Sequence, residues 1–329
     1  MAIRDKDDLA AARAAAAVGS GALVGEAGHI DTELVGVGLE PVARSQWALF
    51  RRRFFRHKLA VAAGVVLILL YLTAAFAGPI TSRYPLNPDL GDVKVLAQAN
   101  HPPSAKHWFG TDELGRDQFT RIIYAGRISL LIGLSVAVFS SVIGAVIGAM
   151  AGYFGRWADQ LLMRITDLFL VVPQLAVLLL VQKKWGGSVQ VIVIVLSLLF
   201  WQYIARVVRG VFLSLKEKEC VEAARASGAS SFRIMFRHML PNTIGPIAVN
   251  ATLAVALAIL TESTLSFLGF GIQPPQVSWG NMLFQSKGAV GTPTAYLIYF
   301  PGLFILVTVI AVNFLGDGLR DAFDPQSKH

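Results

Sequence analysis

The sequence is poor in charge and nearly devoid of cysteine. Only 15% of its 329 residues are Asp, Glu, Lys or Arg, against about 25% in a typical soluble domain. Hydrophobic residues make up 54% and the mean hydropathy is +0.58, which argues against a soluble globule and for a membrane-embedded chain. The one cysteine, Cys220, excludes an intrachain disulfide and suits a reduced compartment; as a lone thiol it reads as a small packing residue. Catalytic signatures are missing as well. There is no Gly-x-x-x-x-Gly-Lys-Ser/Thr phosphate loop, no His-Glu-x-x-His metal pair and no Gly-x-Ser-x-Gly elbow. Gly269 and Gly271 make no dinucleotide site, because no strand and helix of the required kind surround them. The net charge of +8 does not argue for nucleic acid either. Its basic residues cluster beside apolar runs, where they orient membrane segments.

Long apolar runs dominate the rest. About 20 such residues cross the hydrocarbon core as a helix, and the pattern predicts an all-α integral membrane protein. Its six transmembrane helices fall at about 59–78, 128–152, 165–181, 189–211, 244–270 and 296–316. Arg51-Arg52-Arg53-Phe54-Phe55-Arg56-His57-Lys58 precedes the first span and places the N-terminus in the cytoplasm; six spans then return the C-terminus to the same side. Residues 1–44 are rich in Ala and Gly, lack the apolar core and cleavage site of a secretory signal, and read as a disordered cytoplasmic extension with a short helix over 9–18. The transmembrane domain is expected over 45–325.

Some polar and small residues stand out within the spans. Gly144, Gly148 and Gly152 recur at four-residue spacing, a face suited to close helix packing in lipid. Pro173 should kink the third span. Asp167 lies near one end of that span, in an ion path or, as the favoured reading, paired with Arg164 one turn away. Asn250 and Glu262 are the candidates for a substrate path in the fifth span. Glu262 is either functional or hydrogen-bonded between helices for assembly, and the sequence leaves the two open.

A polar stretch over 212–243 interrupts the spans. Arg206, Arg209, Lys216, Lys218, Arg225, Arg233 and Arg237 outnumber Glu217, Glu219 and Glu222, as in a cytoplasmic loop. Residues 217–227 favour a helix, Gly228 should end it, and Ser230 can cap a second. In that second helix Phe232, Met235, Phe236, Met239 and Leu240 form one apolar stripe, Arg233 and Arg237 share another face, and Pro241 should close the unit. A loop of this shape suits docking on another body, although basic amphipathic helices also lie on lipid. Glu222, Ala223 and Ala224, followed by Gly228 and the Leu240-Pro241 ending, resemble the EAA loop of the permease subunits of bacterial ATP-binding-cassette importers. His238 departs from that pattern where an Ile is usual.

Between the first two spans, a proline-broken external loop carries Gly110-Thr111-Asp112-Glu113-Leu114-Gly115-Arg116-Asp117. This run resembles the GTDxxGRD signature of dipeptide, oligopeptide and nickel permeases. Gly and Asp at this density suit tight turns, and Arg116 can pair locally with Asp112 and Asp117, so a structural role is favoured over substrate contact. The segment around Ser278-Trp279-Gly280-Asn281 also looks like the C-type subunit of that family. The resemblance implies a multi-pass protein of the bacterial inner membrane, working with a second, paralogous permease, two ATP-binding subunits and an extracytoplasmic substrate-binding protein. ATP and magnesium would then bind the partners and no cofactor would bind this chain. It further implies that Glu222, Arg237, Phe232, Met235 and Phe236 engage a groove of the ATPase. An ion-coupled secondary transporter or a channel is the rival reading, with Asp167 and Glu262 its only intramembrane charges.

Overall fold

The computed structural model describes residues 46–82, 84, 86 and 93–323. The extension over 1–44, its short helix over 9–18 and the last two residues of the expected domain lie outside them. The described residues form ten helices of functional interest, besides shorter turns.

Helix α1 (Gln46–Arg56) carries the basic cluster and meets α2 (Lys58–Ala75) at His57, whose Nδ1 accepts from the Ala60 amide at 3.1 Å as an N-cap. Helix α3 (Gln118–Phe154) runs 37 residues, about 55 Å. It begins ten residues before the expected span because Asp117 caps it, accepting from the Thr120 amide at 2.8 Å. Gln118, Thr120 and Arg121 lower the hydropathy of the first turns, yet all three are buried by the neighbouring loop and helices. The expected third span is a bent pair, α4 (Arg156–Val171) and α5 (Gln174–Trp185), meeting at 78°. Val172 before Pro173 is extended, with φ −66° and ψ 124°, the conformation that a following proline imposes.

Helix α6 (Val189–Lys216) follows, capped by Ser188, and then α7 (Glu219–Ala226). Next comes a continuous helical run, α8 (Ser231–Phe267), which is partly π-helical and 3-10 near its start. Helices α9 (Trp279–Gln285) and α10 (Tyr296–Phe323) complete the order. Among the described residues, helices α2, α3, α6, α8 and α10 are each long and apolar enough to cross a bilayer, and counting the α4–α5 pair as one broken span gives six.

The glycines at 144, 148 and 152 explain the main packing. Helices α3 and α6 run parallel in close contact, a direction that the intervening bent pair makes possible. A Cβ added at Gly144 would come within 2.6 Å of the Trp201 carbonyl oxygen; one at Gly152 would come within 2.5 Å of the Phe212 Cβ. Gly133 gives α8 the same close approach, at Ile259. Leu134, Val138, Val142, Val146 and Met150, on the opposite face of α3, remain 41–58% exposed. A stripe of that kind requires lipid or another protein to cover it.

Candidate functional sites

At the end of the bundle where α3 and α6 finish, the 217–243 segment is rooted in the spans. Val221, Ile234, Met235 and Met239 are buried with Tyr153, Val208 and Phe212. Helix α7 ends as the sequence requires. Gly228 has φ +76°, its amide bonds the Arg225 carbonyl at 3.0 Å, and the Ala229 amide bonds the Ala224 carbonyl at 3.1 Å. These bonds form the Schellman arrangement that glycine favours. Ser230 then accepts from the Arg233 amide, and α8 begins.

Three expectations about this segment are corrected. The apolar stripe is split, because Ile234–Met239 is a π-helix whose i→i+5 bonds rotate successive side chains away from the α-helical register. Met235 and Met239 turn into the core, whereas Phe232 and Phe236 stay 67% and 45% exposed, with ring centroids 4.3 Å apart. Pro241 does not close the unit. Leu240 is helical at φ −58° and ψ −41°, and Pro241 lies in the first turn of a 3-10 segment, where its missing N–H costs nothing. The loop also starts later than expected: 212–216 still belong to α6, with Phe212 and Leu215 buried. What faces outward is Glu222, Ala223, Gly228, Phe232, Phe236, Arg237 and Pro241, with Ala224 and Leu240 half-buried behind them. Phe232 and Phe236 border an apolar cavity of about 290 Å³ whose other wall includes Val146, Met150 and Phe154 of α3.

At the opposite end of α3, the GTDELGRD run is a tightly bonded turn. The Asp112 carboxylate accepts from the Leu114 and Arg116 amides at 3.0 and 2.9 Å, from Arg116 Nε at 2.7 Å and from buried Arg121. Arg121 also donates to Gln285 of α9 at 2.6 Å. Asp117 does not pair with Arg116. One of its oxygens caps α3 and the other meets His107 Nδ1 at 2.9 Å. Tyr296 donates to the Thr111 carbonyl at 2.8 Å, tying the turn to α10. Gly110 has φ +76°, and a Cβ there would meet the His101 oxygen and the Tyr296 ring at 2.6 Å, so no other residue fits without a shift.

Glu262 is fully buried among serines. Its Oε1 accepts from Ser266 and Ser278, each at 2.7 Å; Ser129 and Ser263 stand beside the carboxyl group, and Oε2 takes no hydrogen bond. Ser278 caps α9 by accepting from the Asn281 amide, and the Trp279 indole donates to the Ile122 carbonyl at 3.0 Å. The glutamate thus pins the start of α9 to α8, and Trp279 pins it to α3. Asn250 is half-buried, its amide donating to the Pro246 carbonyl one turn back at 2.9 Å. Asp167 pairs with Arg206 of α6 at 2.6 Å, not with Arg164, since the α4–α6 contact brings Arg206 nearer than the neighbouring turn does.

Residues 144–329, more than half of the chain, match the family described as the binding-protein-dependent transport system inner membrane component. Residues 45–103 match the N-terminal transmembrane domain of oligopeptide transport permease C. The chain belongs to this permease family. The permease is 42% identical over 275 residues to the dipeptide transport system permease protein DppC of Bacillus subtilis, covering 84% of each chain. To the oligopeptide transport system permease protein OppC of the same organism it is 40% identical over 282 residues, covering 86% of this chain and 90% of that one. Its fold is similar to a chain of the MetNI methionine ABC transporter, solved in inward-facing conformations. That match has a TM-score of 0.52 at 20% identity and covers 63% of this chain and 97% of the other. It is a multi-pass permease of the bacterial inner membrane.

The permease keeps its two signature regions at opposite ends of α3, and Glu262 and Asp167 likewise stand far apart. Sequence reasoning missed Arg121, Gln285, His107 and Tyr296, which lock the GTDELGRD turn. For Arg121 a signal existed, since an arginine in the first turn of a long apolar helix needs a carboxylate partner.

Proposed function

We propose that this permease is one of two paralogous membrane subunits of an ATP-driven importer for short peptides or related small solutes. Two cytoplasmic ATP-binding subunits, holding ATP and magnesium, drive it; a substrate-binding protein delivers cargo from outside; this chain hydrolyses nothing. The names of DppC and OppC, one assigned to dipeptides and the other to oligopeptides, support the cargo class. Both termini and the 217–243 segment lie in the cytoplasm in this reading, supported by Arg51, Arg52, Arg56 and Lys58 at one end of α2 and by the basic excess of the loop.

The observation that carries the reading is the two-sidedness of the loop. Its outer face presents Glu222, Phe232, Phe236 and Arg237, while Val221, Met235 and Met239 seat it in the cluster where α3 and α6 end. A force on the outer face is therefore delivered to the spans through a packed core, which shifts as a unit. Glu222 and Arg237 supply charge-assisted contacts to the ATPase groove and the two phenylalanines fill it; Met235 acts from behind, as a seat. Ion-coupled transport is less well supported, because Asp167 is held by Arg206 and Glu262 is enclosed by serines.

The test is peptide uptake by the reconstituted complex carrying Gly228→Pro. Proline cannot adopt φ +76° and lacks the amide that bonds Arg225. Uptake should be lost with the permease still in the membrane. Wild-type uptake at wild-type abundance would overturn the reading.

A further inference from the structure

We infer that the cleft between α4 and the loop half of α6 lines the transport path, and that Arg164 there receives the carboxylate of a zwitterionic substrate. The inference rests on the importer reading and adds a path wall and a contact that this reading leaves unassigned. The cleft measures about 610 Å³. Trp157, Leu161 and Met163 give it an apolar side, and Asp159, Arg164 and Asp167 a charged one.

The exposure of its charges argues for water. Arg206 and Asp167 pair near the end of α6 that leads into the loop, with about half of each side chain exposed. Half-exposed charges on the helices of a membrane protein face water or a partner, not lipid. The exposed stripe of α3, by contrast, is wholly apolar from Leu134 to Met150.

The charge pattern argues for an anionic group. Arg209 grips both oxygens of Asp159, one of them at 2.6 Å from Nη2, and Arg206 holds Asp167 through Oδ1. Arg164 has no carboxylate partner among the described residues, so three arginines face two aspartates and one cation is uncompensated. A guanidinium free to make two parallel hydrogen bonds is suited to a carboxylate. The second oxygen of Asp167, not engaged by Arg206, is one turn away on the same helix and can meet an ammonium. A short peptide carries both groups, and the apolar side of the cleft accommodates its side chains.

The test uses the whole complex in inside-out vesicles with Cys220→Ser and Gln160→Cys, labelled by a membrane-impermeant maleimide. Residue 160 should label readily. Millimolar alanylalanine should slow labelling several-fold, its C-terminal amide should not, and adding Arg164→Gln should abolish the protection without abolishing labelling. Failure to label, equal protection by the amide, or protection that survives Arg164→Gln would each overturn the inference. If right-side-out vesicles still take up alanylalanine under ATP, the importer reading stands while this inference falls; if they take up no peptide, the reading itself falls.

Discussion

Replacing Glu262 separates the two roles that a buried carboxyl group can have here. In Glu262→Ala the hydroxyls of Ser266 and Ser278 lose their acceptor. Their oxygens stay satisfied, because Ser266 still accepts from the Ile272 amide at 3.2 Å and Ser278 from the Asn281 amide at 3.1 Å. The loss is therefore two hydrogen bonds of about 1 to 3 kcal/mol each, or about 2 to 6 kcal/mol, with a cavity contribution added. Glu262→Gln keeps Oε1 as acceptor and replaces Oε2, which takes no hydrogen bond, by an amide; it should cost under about 1.5 kcal/mol. At about 2–4 °C per kcal/mol for a domain of this order, the alanine variant should melt on the order of 10 °C lower in detergent and the glutamine variant near wild type. Combining Glu262→Ala with Ser278→Ala should cost less than the sum of the two, since both remove one contact. Melting of Glu262→Ala within about 2 °C of wild type, a shift too small for even one lost hydrogen bond, would refute the structural assignment. So would a Glu262→Gln variant of normal stability that transports nothing, because the carboxyl group would then act in transport.

Two further outcomes are expected. Gly148→Leu should reduce assembled permease in membranes, measured by detergent-resistant gel filtration, because even its Cβ would lie 2.8 Å from the Val208 Cβ and overpacking costs about 1–3 kcal/mol. Met239→Ala, at a fully buried site, should cost about 2–5 kcal/mol of stability; Phe236→Ala should leave the melting temperature within about 2 °C, since exposed positions contribute little, while lowering uptake. Equal loss of stability in both would show that the π-helical split of the stripe is wrong.

Much of this architecture is legible in the chain. Gly228 as a helix end, Ser230 as a cap, Pro173 as a break and the glycine face of α3 each follow from a local property: φ tolerance, hydroxyl acceptance, a missing amide, a missing Cβ. The departures arise where local preference and tertiary contact compete. Arg164 is one turn from Asp167 in sequence, yet Arg206 on another helix takes the carboxylate. Pro241 should stop a helix, yet the run continues through a 3-10 turn because no amide is needed there. Gln118, Thr120 and Arg121 look like loop and are helix, because Asp117 starts the helix and Asp112 neutralises the arginine.

Composition and spacing by themselves determined that this is a helical membrane protein and roughly where its apolar runs fall, because bilayer thickness and helix rise convert directly into residue counts; the family resemblance came from the two motifs. They could not determine which face of the loop points outward, whether Glu262 meets substrate or serine, or which arginine each aspartate holds. Those outcomes depend on distances between segments far apart in the chain. Burial and charge pairing are decided by the helix that packs alongside, and only the tertiary structure says which helix that is.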